Sequence, residues 1–316
     1  MTTARLLLVL AATVGLLPTG TSAQQAQESG TPVFRSSTSV VAVTAVVRDR
    51  KGRFVKDLRQ KDFTVAEAGR QKPIIDFRSE SDGPIRVALV FDISGSMRVA
   101  SRAVDAKDAA RQLLSALRPT DQAALFSFDS RLQLVRGFTT NTKELMASLD
   151  HVEPPYGQTS LYDAVAETAR AVADDTRELT GNVQRRAVVV LTDGVDTRSR
   201  LTAAEVTGIA SSIDVPVYVL AVMSAVDDPR EGRTDEHVSP LRNLAQWTGG
   251  ELFISTAPAH ASVATRQIVD ELRHQYVLAF EASRQPGWHP LEIRARNRDL
   301  VVRARVGYMA GGAAGP

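Results

Sequence analysis

No cysteine occurs in the 316 residues of this chain. That excludes a disulfide, a thiolate nucleophile and a thiolate-ligated metal. An excess of one charge sign is also missing. Lys and Arg number 38 against 36 Asp and Glu, for a formal net charge of +2. A nucleic-acid binder concentrates basic residues on one face, and this balance gives no such footprint. The chain lacks the phosphate-cradling pattern G-x-x-x-x-G-K-[ST] and the dinucleotide pattern G-x-G-x-x-G. Nucleotide binding therefore has no support. It also lacks G-x-S-x-G, so no serine sits on a nucleophile elbow. His151, His237, His260, His274 and His289 show no metal spacing such as His-x-x-x-His, and scattered surface positions are expected of them. There are no internal repeats.

Long apolar runs are scarce as well. The first follows Arg5 and extends from Leu6 to Leu17, before Pro18 and a small-residue stretch ending at Ala23. A positive start, a short apolar core, and Thr21 and Ala23 at the −3 and −1 places make a signal peptide over residues 1–23. The run is short for a bilayer span of about 20 residues. An uncleaved anchor is the alternative. No cysteine follows the run, which excludes a lipoprotein anchor. The expectation is a protein exported to the periplasm or secreted, with a mature chain beginning at Gln24. No later segment is long and apolar enough to span a membrane, and without cysteine the exported chain does not depend on oxidation for stability.

Hydrophobic residues make up 43% and charged residues 23%, enough for a sizeable core without staples. The length suits one large domain and a smaller one. Residues 24–37 are polar and form a flexible lead-in. Residues 38–80 make an N-terminal β unit. Its strands are expected at Ser39–Val47, Phe63–Val65 and Ile74–Phe77, with turns at Asp49–Gly52 and Ala68–Arg70.

From Arg86 the pattern alternates. A strand runs to Phe91 and stops at Asp92. Ala106, Ala109, Ala110, Leu113, Leu114 and Leu117 then recur at helical spacing. Ala123–Phe128 is a strand, and Arg131–Val135 can pair back on it. Leu161, Val165, Ala169 and Val172 mark a helix, and Ala187–Leu191 a buried strand. A helix near 202–212, a strand at Val215–Val222, a helix near 239–247, a strand at Leu252–Ile254 and a helix near 261–274 follow. Apolar strands alternating with helices give a Rossmann-like α/β fold: a mostly parallel sheet with helices on both faces. The large domain is placed at residues 84–257. Residues 258–309 are read as a helix plus a C-terminal β segment, and 310–316 as a disordered tail. In that segment Gln275–Phe280 is a strand, and the alternating runs at Leu291–Ala295 and Leu300–Val306 join through Asn297–Asp299 as a hairpin. Each β flank is too short to bury much surface alone. The sequence leaves open whether the two pack into one domain. Arg294, Arg296, Arg303 and Arg305 fall on one face of that hairpin, either as a solvated strand face or as a basic stripe for an anionic envelope component.

Chemistry concentrates where two central strands end. One runs into Asp92-Ile-Ser94-Gly-Ser96, the other into Thr192-Asp193-Gly194, and between them Gly157-Gln-Thr159 opens a helix. In open α/β sheets ligands sit outside the carboxyl ends of strands, where strand order reverses. Two carboxylates and three hydroxyls are hard oxygen donors suited to Mg²⁺, or Mn²⁺ in its place. Gly95 and Gly157 let the backbone turn tightly there. The bland reading of the same residues is a set of helix caps, which is the role expected of nearby Asp163 and Asp196.

These residues resemble the von Willebrand factor type A family over about residues 84–257. Its metal-ion-dependent adhesion site joins Asp-x-Ser-x-Ser, a distant Thr, and Thr-Asp-Gly, and all five positions have a counterpart here. The resemblance implies that Ser94, Ser96 and Thr159 are hydroxyl ligands and that Asp92 and Asp193 ligate directly or through water. Gly52–Leu58, Asp62–Glu67, Gln275–Leu278 and Arg305–Tyr308 also resemble the flanks of a bacterial "VWFA-related" subfamily of exported proteins. The implied role is metal-dependent recognition of a protein partner offering an Asp or Glu carboxylate, without catalysis. A metal-assisted hydrolase and a structural envelope protein are the rival readings.

Overall fold

The period of the apolar residues sets the elements. It is two in the flanks and 3.6 in the helices, and it vanishes in the central strands, which are apolar on both faces. The computed structural model describes residues 40–79, 83–152, 156–174, 185–212, 214–223 and 233–310. In chain order, β1 (Val40–Asp49), β2 (Phe63–Glu67), β3 (Arg70–Lys72) and β4 (Asp76–Ser79) precede β5 (Ile85–Asp92) and α1 (Arg102–Ser115). Next come β6 (Gln122–Phe128), β7 (Leu132–Thr139), α2 (Thr142–Asp150), α3 (Leu161–Asp174) and β8 (Arg185–Thr192). The chain continues through α4 (Ala203–Ser212), β9 (Val217–Val222), α5 (Arg233–Thr248), β10 (Leu252–Ser255) and α6 (Pro258–Arg273). It ends with β11 (Gln275–Glu281), β12 (Gly287–Ala295), β13 (Leu300–Ala304) and β14 (Gly307–Ala310). The expected signal peptide and lead-in lie outside the described residues, as does the expected tail beyond Ala310. Ala310 itself belongs to β14 and pairs with Gly287. Among the described residues no helix is long and apolar enough to cross a membrane.

The central sheet has the order β10-β9-β8-β5-β6-β7. Its pairs are parallel except β6–β7, which is the antiparallel return expected near Arg131. Every residue of β5 is buried. Val87, Leu89 and Phe91 pack with α1, α2 and α6 on one face, while Ala88 and Val90 pack with α3, α4 and α5 on the other. Each large apolar side chain sealed this way contributes about 1.5–3 kcal/mol relative to exposure. The α/β fold class expected from the alternation is the observed one. Helix α2 was not anticipated. It is short, only Leu145 and Leu149 are buried on it, and Asn141 caps its start by accepting from the Glu144 N–H. Helix α6, grouped in the sequence reading with the C-terminal segment, packs on this sheet through Ala261, Ala264, Ile268 and Leu272. The sheet's helical cover thus extends past residue 257.

The flanks form two antiparallel sheets, β13-β1-β11-β4 and β14-β12-β2-β3. Strands from both ends of the sequence share each sheet, and Val43, Phe63, Val65, Tyr276, Leu278, Phe280 and Ile293 fill the core between them. One expectation fails here. The runs around Asn297–Asp299 do not pair as a hairpin, because β12 bonds to β14 and β2 while β13 bonds to β1. The turn instead carries the chain from one sheet to the other. Two strands with one apolar face each can bury those faces across a sandwich as well as side by side.

The basic face fails with the hairpin. Arg303 pairs with Glu251 and with Glu271 of α6, and Arg48 of β1 pairs with Glu271 as well. Arg305 donates to the carbonyls of Ser211 and Ala42 and pairs with Asp214 at 3.3 Å. Arg294 pairs with Glu292, and Arg296 donates to the Lys61 carbonyl at 2.7 Å. Two of the four arginines thus sit where the β layers meet the α/β layers.

A second polar joint lies at the amino end of the central sheet. Asp121, 1% exposed, accepts from the N–H groups of Ile85 at 3.1 Å and Arg118 at 2.7 Å, and from Arg273 Nη2 at 2.8 Å. Removing one partner of a buried pair strands the other charge. Asp121→Ala is expected to lower unfolding stability by about 3–5 kcal/mol, read by urea denaturation. A loss below about 1 kcal/mol would show that the joint is a solvated surface pair.

Candidate metal centre

Strand β5 ends at Asp92, which is fully buried. Its Oδ1 accepts the Ser94 N–H at 2.8 Å, and its Oδ2 accepts the Thr192 hydroxyl at 2.6 Å. Thr192 closes the neighbouring strand β8, so the two carboxyl ends are fastened side by side. Its Oγ1 also accepts the Gly194 N–H at 3.0 Å. Both donors to Asp92 are neutral. Burial pushes the Asp92 carboxyl up to about 7; the Ser94 and Thr192 hydrogen bonds oppose this, and the charge of Asp193 adds to it.

The serines and Asp193 complete two loops. The hydroxyls of Ser94 and Ser96 lie 3.1 Å apart, with Ser94 buried and Ser96 half-buried. Asp193 Oδ1 accepts the Val195 N–H at 3.2 Å, and Oδ2 accepts from Arg102 Nη1 at 2.8 Å. The same Nη1 donates to the Ser96 carbonyl at 2.9 Å.

The third loop carries Thr159, which is 2% exposed. It is laced to both others through the backbone. The Gly157 carbonyl accepts the Gly95 N–H at 2.9 Å, and the Tyr156 N–H donates to the Ile93 carbonyl at 2.7 Å. The Thr159 carbonyl accepts the N–H groups of Thr197 at 3.0 Å and Arg198 at 2.9 Å, and the Thr159 N–H donates to Thr197 Oγ1 at 2.9 Å. A Cβ on Gly95 would stand 3.1 Å from the Gly157 oxygen, and Gly157 has φ +93°. Only glycine takes that conformation without strain.

The structure thus gathers the loops of Asp92, Ser94, Ser96, Thr159 and Asp193 at the carboxyl ends of β5 and β8. There the connection from β5 leaves toward β6 while β8 lies on the opposite side, the usual ligand position in such sheets. Asp196 and Asp163 act as caps. Asp196 Oδ1 accepts the Leu161 N–H at 2.8 Å, and Asp163 accepts the N–H groups of Arg200 and Leu201. Three further residues escaped the sequence reading. Thr192 was seen only as part of Thr-Asp-Gly, although it fastens Asp92. Asp129 comes directly after β6, and its Oδ2 lies 3.5 Å from where a Gly157 Cβ would stand. Arg102 opens α1, and a cation in a first helical turn opposes the helix dipole. That mismatch was the available signal that Arg102 has a partner elsewhere.

The donor set is two carboxylates and three hydroxyls. Among the described residues no three His, Cys, Asp or Glu side chains group as a metal site, so a cation here would draw on hydroxyls and water alongside the two carboxylates. Hard oxygen donors of this kind suit a small divalent cation. A buried carboxylate held only by neutral donors, beside a second carboxylate, fits such an ion on electrostatic grounds.

Residues 87–195 match the von Willebrand factor type A domain family. The chain contains a von Willebrand factor type A domain. The matched segment begins within β5 and ends just past Asp193, so it spans all three loops of the cluster. No curated protein matches this chain. Solved structures similar to it include BatB of Bacteroides thetaiotaomicron, at 20% identity and TM-score 0.48, covering 60% of this chain and 98% of that one. A von Willebrand factor type A protein from Catenulispora acidiphila is similar at 12% identity and TM-score 0.49, over 88% of this chain and 76% of that one. Proximal thread matrix protein 1 of the mussel byssus, with zinc in its metal-ion-dependent adhesion motif, is similar at 16% identity and TM-score 0.47, over 65% and 49%.

The glycine joint of the A domain makes a paired test. Gly157→Ala forces a side chain into φ +93° and is expected to cost roughly 1–3 kcal/mol. Gly137→Ala in β7 meets no atom within 4 Å and carries no positive φ, so it should be neutral or slightly stabilising. Thermal melts of both variants check this, and equal melting temperatures would contradict it.

Proposed function

We propose that this chain is an exported protein-binding module whose A domain holds Mg²⁺ or Mn²⁺ and uses it to take an Asp or Glu carboxylate from a partner protein. The observation that carries the reading is the buried Asp92, held by neutral donors at the switch point, with the serine, threonine and Asp193 loops tied around it. Asp92 and Asp193 would supply negative charge to the ion. Ser94, Ser96 and Thr159 would supply neutral oxygens. Five protein oxygens leave a six-coordinate ion at least one position for an oxygen from a partner. When bound, the ion adds a charge-assisted contact that a polar rim alone does not provide. Export rests on the N-terminal apolar segment and its Thr21-x-Ala23 ending.

Binding is favoured over hydrolysis by the chemistry around the cluster. The histidines with described side-chain contacts bond elsewhere: His151 to the Ala147 carbonyl, His260 to Thr256, His274 to the Asp270 carbonyl and His289 to the Gln285 carbonyl. None of these imidazoles is placed as a general base beside Asp92 or Ser94.

The expected behaviour separates the cation from the fold. Mg²⁺ or Mn²⁺ at a hundredfold excess over its Kd should stabilise the protein by about 2.7 kcal/mol, and Asp92→Ala should abolish that shift. Partners enriched from envelope extract should be released by EDTA. Thr159→Ala should weaken their binding by roughly 2 kcal/mol, over and above a loss of about 1 kcal/mol in metal-free stability from truncating a buried side chain. Partner binding indifferent to both EDTA and Thr159→Ala would move recognition away from the cluster. Phosphate-ester or peptide turnover that disappears in Asp92→Ala would replace the binding reading with a hydrolase.

A further inference from the structure

Arg102 is a charged group in direct contact with the cluster that the proposed function does not use. It is 7% exposed, and its partner Asp193 is 3% exposed. Its position at the first residue of α1 is electrostatically unfavourable for a cation, so something else holds it there. The contacts supply the reason. One nitrogen, Nη1, reaches both Asp193 Oδ2 at 2.8 Å and the Ser96 carbonyl at 2.9 Å. Arg102 therefore bridges the loop after β5 to the loop after β8, and it brings a permanent positive charge beside the two carboxylates. With Asp193 Oδ1 on the Val195 N–H, both oxygens of that carboxylate have donors before any cation arrives.

Resting on the metal-dependent reading above, we propose that Arg102 is a positioning residue that sets the charge of the cluster. Arg102 makes the cluster one unit less negative than its carboxylates alone would make it. A divalent cation bound there therefore keeps one more unit of positive charge to offer a partner carboxylate than it would without Arg102. Arg102 thus loosens the hold on the cation and strengthens the demand for an anionic partner group. It acts through Asp193 and Ser96 and through its field, without itself being a ligand. Electrostatic effects of this kind are largest where water is excluded, as it is around this buried pair.

The test uses the full mature chain, with Mn²⁺ as the first probe and acetate as the second. Mn²⁺ affinity is measured by calorimetry. Acetate binding to the Mn²⁺-loaded protein is followed by the loss of water-proton relaxation enhancement. Arg102→Gln should bind Mn²⁺ about tenfold more tightly than wild type and bind acetate several-fold more weakly. Opposite signs are the diagnostic feature, since a merely structural loss would weaken both. Arg102→Lys keeps the charge and should stay near wild type on both readouts. It also keeps the test open if the Gln variant melts too low to use. Should Arg102→Gln match wild type, weaken both probes, or behave like Arg102→Lys, the proposal is overturned and the metal reading survives. If wild type itself takes up no Mn²⁺, both fall together.

Discussion

The sealing of β5 is the constraint on which the rest depends. It has parallel neighbours on both edges and helices on both faces, and all eight of its residues are buried. From Val87 to Phe91 the strand is wholly apolar, with charged residues only near its two ends, at Arg86 and Asp92. At the carboxyl end the chain must turn sharply, and it does so through Asp92, Ser94 and Gly95. The same logic acts on β8, which ends at Thr192 and Asp193. Because β5 and β8 are neighbours at the reversal of strand order, their two endings meet. The hydrogen bond from Thr192 to Asp92 is the direct product of that adjacency. A buried carboxylate costs folding free energy unless it is well partnered. Asp92 is fully buried all the same, with the Ser94 N–H and the Thr192 hydroxyl as its donors.

The β layers are built by a different economy. Residues 40–79 lack enough apolar surface for a core of their own, and residues 275–310 supply the missing strands. Interleaving β1 with β11 and β13, and β2 with β12 and β14, closes one core from two distant segments. Glu271 of α6 then meets Arg48 of β1 and Arg303 of β13. Burial raises the Glu271 carboxyl, with the neighbouring Glu251 adding to that effect and Arg303 and Arg48 opposing it. An ionic joint of this kind adds little net stability over an apolar one, but breaking it is costly. It gives the β layers a defined seat on the α/β layers, beside the buried apolar stripe of α6.

The α/β layers were legible because burial leaves a strong trace in sequence. Runs such as Ala187–Leu191 have no polar face, and helices such as α3 repeat their apolar residues at helical spacing. The cluster was legible for a related reason: Asp, Ser and Gly follow at once on those apolar runs, and the match to a known site supplied the order. Three things left weaker traces. Strand partnership in the β flanks does not follow from alternation, since β12 and β13 have the same pattern whether they pair or face each other across a core. Arg303 and Arg305 look like solvent-facing residues until their acidic and carbonyl partners on α6 and near Ser211 are known. Arg102 and Asp129 act at the cluster through contacts that depend on how three loops meet, and single-chain spacing does not encode that meeting.

The central claim is that the endings of β5 and β8, with the Thr159 loop, form one cation site. Crystals of the protein soaked in Mn²⁺ and measured near the manganese absorption edge address it most directly. The account predicts an anomalous peak among the side chains of Asp92, Ser94, Ser96, Thr159 and Asp193, absent in crystals of Asp92→Ala soaked in the same way. A peak elsewhere on the chain, or none at saturating Mn²⁺ with the loops intact, would contradict it.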